Sequence, residues 1–180
     1  MFVAAPSVEE DLEAKGFQRM MRWTRGVDTG LHTMMVLQQA CRLSDDPQVR
    51  FAALLHDLGK GTTPESEWPR HIEHEARGAD IVTEVCRRLR VPNEYRDLAE
   101  RTARFHLHYH RAMELKPSTM VKTLVQLDAY RKPERFEKFL LASEADARGR
   151  PGYENREFRQ GDYFRQAYAV SRDIDIDALR

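Results

Sequence analysis

Cysteine is nearly absent from the chain, which has two in 180 residues, Cys41 and Cys86. Both fall inside helical apolar patterns, so a disulfide framework is not expected and a reducing cytoplasm suits the sequence. Long apolar runs are absent as well. No window approaches the ~18 consecutive apolar residues that mark a membrane span, and no membrane partner is expected. The N-terminus, Met1-Phe2-Val3-Ala4-Ala5-Pro6, lacks the basic stretch and the apolar length of a signal peptide. Neither sign of charge is in excess, because 29 basic and 29 acidic residues cancel. That balance excludes a protein that coats nucleic acid by bulk charge. Lysine is scarce, with 6 against 23 arginines. Arginine suits bidentate phosphate contacts, though a compositional bias of the genome gives the same ratio. Alternating strand patterns, internal repeats and low-complexity segments are all missing.

What is present is helical periodicity, in a chain long enough to bury one core. Residues 1–26 read as a charged lead-in, including one short helix, ahead of a domain spanning 27–180. Asp28-Thr29-Gly30 offers capping side chains for a helix from Leu31 to Leu43. Asp46-Pro47 opens a second, carrying Val49 to Leu58 and stopping at Gly59-Lys60-Gly61. Further helices are expected over His71–Arg90, Asn93–Met113, Pro117–Tyr130, Pro133–Ala147 and Asp162–Arg172, with Gly149-Arg150-Pro151-Gly152 as a loop. The expectation is a single all-α domain of about seven helices.

The informative residues interrupt core-facing stripes with metal-ligand side chains. His32 lies in line with Val36, Ala40 and Leu43. His56 follows Val49, Ala52 and Ala53, with Asp57 beside it. His106 aligns with Tyr95, Ala99 and Thr102, and Asp128 continues Val121, Leu124 and Val125. A single inward histidine is usually a hydrogen-bonded core residue, and an inward Asp at a helix end is commonly a cap. The coincidence is what weighs. A buried Asp is costly unless paired or bound to a cation, and a shared metal satisfies all of these groups at once. Mixed nitrogen and oxygen ligands suit Mn, Fe, Co, Ni or Zn better than Mg.

His32, the doublet His56-Asp57 and a later Asp on a separate helix resemble the HD superfamily. More narrowly, residues 27–60 resemble the C-terminal HD domain of bacterial CCA-adding tRNA nucleotidyltransferases. So do Arg90-Val91-Pro92-Asn93-Glu94, Phe105-His106-Leu107-His108, Asp128-Ala129-Tyr130-Arg131-Lys132-Pro133, and the stretch Ser143 to Arg150. The likeness runs over residues 27–165. It departs at the start, where family members carry a nucleotidyltransferase head with a Gly-rich stretch and a paired-Asp motif; neither occurs here. CCA addition by this chain is therefore not expected.

The resemblance implies an all-α HD-type domain and a phosphohydrolase acting on 2′,3′-cyclic nucleotides, 2′-nucleotides and phosphomonoesters. It implies a divalent metal such as Ni, Co or Mn, with Mg possible. By position, the metal ligands are His32, His56, Asp57 and Asp128, with Asp146 as rival for the last place because Phe139, Ser143 and Asp146 share a face. Asp57 is then also the residue that orients or deprotonates water. His74 and His106 hold phosphoryl oxygens or protonate the leaving group, and Lys60 adds positive charge. His74 reads equally as a surface residue, and His71, His108 and His110 as solvent-facing. The expected substrate is a nucleotide or RNA-end phosphoester. In the competing reading, a metal-containing module contacts tRNA, and Arg87, Arg88, Arg90, Arg101 and Arg104 meet its phosphates.

Overall fold

The computed structural model describes residues 29–173, Pro69 excepted. The expected lead-in over 1–26 lies outside the described residues. Within them the chain forms seven α-helices and short 3₁₀ turns: α1 Thr29–Leu43, α2 Pro47–Leu55, α3 His74–Arg88, α4 Asn93–His110, α5 Pro117–Gln126, α6 Pro133–Arg148 and α7 Gln160–Arg172. The expected all-α fold is thus the observed one. No helix among the described residues is long and apolar enough to cross a membrane.

Helix α4 is packed by α2, α3 and α6, α2 also touches α6, and α1 lies across α2 and α6. Small residues permit this close approach. Ala52, Ala53, Ala79, Ala99, Ala103, Ala142 and Ala145 are all fully buried, and a helix whose inward face is alanine brings its backbone nearer to its neighbour. The large side chains gather at one end, where Tyr109, Phe136, Phe139 and Phe164 are buried. The Tyr109 and Phe164 rings stack at 6.3 Å between centroids, which fastens α7 to α4. Truncating such a ring to alanine costs about 3–5 kcal/mol.

The start of α2 follows the sequence closely. Asp46 accepts a hydrogen bond from the Gln48 amide at 2.8 Å, and Pro47 occupies the first turn. The same carboxylate reaches Lys138 of α6 at 2.7 Å, so the cap also sets the distance between two helices. The end of α2 differs from expectation. The α-helix stops at Leu55, and Leu58–Thr62 forms a 3₁₀ turn. Gly59 makes this possible: a Cβ there would stand 1.9 Å from the His74 carbonyl oxygen and 2.7 Å from the Gly78 nitrogen. The turn therefore docks directly onto the first turns of α3.

Candidate metal centre

Around that docking, residues from six segments come together. His56 closes α2 and Asp57 opens the 3₁₀ turn. His74 begins α3, His106 and His110 lie one turn apart on α4, Asp146 is near the end of α6, and His32 is in the first turn of α1. The approach to His74 is locally strained, since His71 and Glu73 both have positive φ, 47° and 57°. Such backbone in non-glycine residues costs about 1–3 kcal/mol and survives where the surroundings dictate it. Here it lets the His71 carbonyl accept from His74 Nδ1 at 2.8 Å, which aims the other ring nitrogen inward.

The same device recurs around the cluster. His32 Nδ1 donates to the Gly149 carbonyl at 2.9 Å, His56 Nδ1 to Ala53 at 2.7 Å, and His106 Nδ1 to Ala103 at 2.9 Å. A carbonyl only accepts, so in all four rings Nδ1 carries the hydrogen and Nε2 is left facing the centre. Backbone-anchored imidazoles of this kind are how proteins orient metal-binding histidines. Two buried carboxylates complete the set. Asp57 Oδ2 lies 3.3 Å from His56 Nε2 and 3.8 Å from His32 Nε2. Asp146 Oδ1 lies 2.9 Å from His32 Nε2 and 3.5 Å from His56 Nε2. Ligands held ~2.0–2.2 Å from one ion stand about 3–3.5 Å from each other, so these spacings fit a shared cation. His56 Nε2 and Asp57 Oδ1 are fully buried and have no hydrogen-bond partner.

On the other side of Asp57, its Oδ1 lies 3.4 Å from His74 Nε2 and 3.6 Å from His106 Nε2. Two ligand groups result, His32-His56-Asp57 and Asp57-His74-His106, sharing one carboxylate. Lys60 Nζ donates to Asp57 Oδ2 at 2.5 Å. His110 Nε2 approaches Asp146 Oδ2 at 2.5 Å.

Charge in the cluster is arranged for a cation. Burial opposes protonation of His56, yet the carboxylates of Asp57 and Asp146 outweigh it and push the imidazole up to about 10. Burial likewise opposes ionisation of Asp57, but His56, His74 and Lys60 hold it well below the usual carboxylate range. Asp146 is held low in the same way, by His56, His110 and His32 against its burial. For His106, burial prevails and brings the ring down to about 4, so its Nε2 lone pair is free at neutral pH. The centre thus favours positive charge where Asp57 and Asp146 converge, and a metal ion satisfies that preference as a proton does.

The structure brings His32, His56, Asp57, His74, His106 and Lys60 together, as the sequence reading anticipates. It does not bring Asp128 to them. Asp128 follows the end of α5 with φ 57°, and its carboxylate pairs with Arg135 at 2.9 Å. Its supposed stripe is the outer one: Val121 and Val125 are exposed, while Met120, Thr123 and Leu124 are buried. Asp146, the rival, is the carboxylate that stands beside His32, His56 and His110. His110 is corrected too, because it contacts Asp146 instead of solvent. Its spacing of four from His106 was the signal that both could share a face. His71 and His108 are half-buried and hydrogen-bonded to the hydroxyls of Thr63 and Thr123. In the supposed arginine face, Arg87 pairs with Glu84, and Arg101 and Arg104 with Glu100.

An all-helical bundle whose His-Asp doublet meets a distant His and Asp defines the chain as a member of the HD domain family, whose family model matches residues 29–147. Among curated proteins it is similar to the multifunctional CCA protein of Thioalkalivibrio sulfidiphilus, 59% identical over 143 residues, which is 79% of this chain and 35% of that protein. The multifunctional CCA protein of Hahella chejuensis is 54% identical over 153 residues, 85% of this chain and 36% of that one. That of Nitrosococcus oceani is 53% identical over 164 residues, 91% and 40%. The chain therefore spans between 35% and 40% of the length of these relatives. No solved structure matches it.

Proposed function

We propose that this domain is a metal-dependent phosphohydrolase acting on nucleotides, of the 2′,3′-cyclic phosphodiesterase, 2′-nucleotidase and phosphatase type. The observation that carries the reading is the convergence of four backbone-anchored imidazoles on two buried carboxylates. His32, His56, Asp57 and Asp146 would hold a divalent transition metal such as Ni, Co or Mn. His74 and His106 offer, with Asp57, a second set of ligand atoms. Bound there, the metal supplies charge for phosphoryl oxygens and makes water more acidic. Asp57 orients the attacking water and accepts its proton. Lys60, a quarter exposed at its side chain and hydrogen-bonded to Asp57, brings positive charge to the open side of the centre. His106, whose Nε2 lone pair is free at physiological pH, takes that proton over from Asp57 and then passes it to the leaving group, with His74 beside it.

A cytoplasmic setting suits its two free cysteines. The resemblance to CCA-adding tRNA nucleotidyltransferases makes tRNA contact the second reading, a binding module with little or no turnover. The pairing of Arg87, Arg101 and Arg104 within the chain favours the hydrolase over that module. The test uses protein stripped of metal and reloaded with Ni, Co or Mn. It should hydrolyse a 2′,3′-cyclic nucleotide, and Asp57→Ala should abolish this. Equal rates in the variant, or without metal, would sink the assignment; salt-dependent tRNA binding without turnover would replace it with the second reading.

A further inference from the structure

A cavity of about 460 Å³ lies against the metal-site end of the bundle. Its volume falls within the ~300–1,000 Å³ of small-molecule sites. Arg150, Arg156 and Arg159 converge on it from the connection between α6 and α7, with Tyr153 and Glu157. His110 is the wall it shares with the centre, since this residue lines the cavity and also contacts Asp146 at 2.5 Å. A ligand in the cavity is one side chain away from the cluster.

The arginines here differ from those around them. Arg148 pairs with Glu144 at 2.7 Å, Arg165 with Glu137 at 2.9 Å and Arg135 with Asp128 at 2.9 Å. Among the described residues, Arg150, Arg156 and Arg159 make no ion pair. Three such cations in one concavity, against the single carboxylate of Glu157, create a local positive potential that an anion relieves. Arg156 lies 5.1 Å over the Tyr153 ring, which holds its guanidinium at the wall and pairs charge with a flat aromatic surface. The family match ends at residue 147, whereas the charged wall is built by residues 150–160. The wall therefore lies beyond the matched helices.

We infer that this cavity binds a second phosphate of the substrate, beyond the one placed at the metal centre. Resting on the hydrolase reading above, the inference defines the substrate class as a nucleotide phosphoester with a further phosphate, as an RNA 3′ end or a nucleoside bisphosphate provides. The guanidinium forks suit a phosphate bidentately, and Tyr153 offers a base a stacking surface.

Binding to metal-free protein tests the cavity apart from catalysis. By calorimetry, adenosine 2′,5′-bisphosphate should bind about tenfold or more tightly than adenosine 2′-monophosphate. The double variant Arg156→Ala/Arg159→Ala should lose that preference. Arg131→Ala/Arg172→Ala, which removes the same charge elsewhere, should keep it. Equal affinity of the two ligands for the unmodified protein, or equal loss in both variants, overturns the inference. A dinucleotide ending in a 2′,3′-cyclic phosphate that competes with the bisphosphate identifies an RNA end as the source, and failure to compete assigns a free nucleotide. Hydrolysis of a 2′,3′-cyclic nucleotide is assayed separately with metal. Its absence beside an intact binding preference refutes only the hydrolase reading, and its presence without the preference refutes only the cavity.

Discussion

The Nε2 atoms of His74 and His106 face each other at 3.3 Å, while the Nδ1 hydrogen of each is already donated to a backbone carbonyl. Two nitrogen lone pairs at that distance repel unless a positive charge lies between them. A cation between them removes that repulsion, and its binding appears as stability. With metal at 100 times its dissociation constant, stabilisation of about 2.7 kcal/mol is expected. Scanning calorimetry of stripped protein, with and without Ni or Mn, measures it; an unchanged Tm speaks against the centre.

The two candidate aspartates separate cleanly by mutation. Asp146→Ala removes a carboxylate that faces His32, His56 and His110. Its effect on metal affinity should exceed the ~10–100-fold loss typical of residues that only support a ligand. Asp128→Ala breaks a partly exposed pair with Arg135, which is worth about 1 kcal/mol or less, and should leave metal binding intact. Metal titration of both variants decides between them, and the reverse order of effects would restore Asp128.

Gly59→Ala tests the docking of the 3₁₀ turn on α3. The added carbon meets backbone atoms of His74 and Gly78, which cannot rotate aside. Overpacking of this kind costs about 1–3 kcal/mol, and here it also displaces His74 relative to Asp57. Urea unfolding should show the destabilisation and metal titration a parallel loss of affinity. A neutral outcome in both would mean that the turn and helix separate freely.

The cap of α2 carries a pH signature. Burial raises the Asp46 carboxyl, but Lys138 and the Gln48 amide together outweigh it and bring it below 3.8. A depressed folded value means the stabilisation is complete above the unfolded value and fades as pH falls through the folded one. Asp46→Ala should cost about 1 kcal/mol at neutral pH, and the gap from the unmodified protein should shrink below pH 3.8. Asp46→Asn keeps a capping oxygen and should recover part of the loss. A gap that persists in acid would assign the cost to packing alone.

The helices were legible because their boundaries are written locally. Asp46-Pro47 and Pro133 start helices where capping chemistry says they should. His32 and His106 were legible because each breaks an apolar stripe that is buried along its own helix. Asp128 misled for a related reason: a stripe of Val121, Leu124 and Val125 looks inward by hydropathy, yet the face chosen by packing runs through Met120, Thr123 and Leu124. Asp146 shares a buried face with Phe139 and Ser143, and His110 stands four from His106, but their meeting depends on how α4 and α6 lie against each other, 36 residues apart in sequence. On α3, Ala79, Val82 and Cys86 face the core at helical spacing, and the inward face begins with His74 and Gly78.

His32 reaches across 117 positions of chain to the carbonyl of Gly149, where a Cβ would collide with Val36 at 2.4 Å. The first helix and the last turn of α6 thus act as the two halves of a clasp. A nascent chain cannot close that clasp until residue 149 has left the ribosome. The pairing of His32 with Asp146 then becomes a late event in biosynthesis, after α2 to α6 have been made.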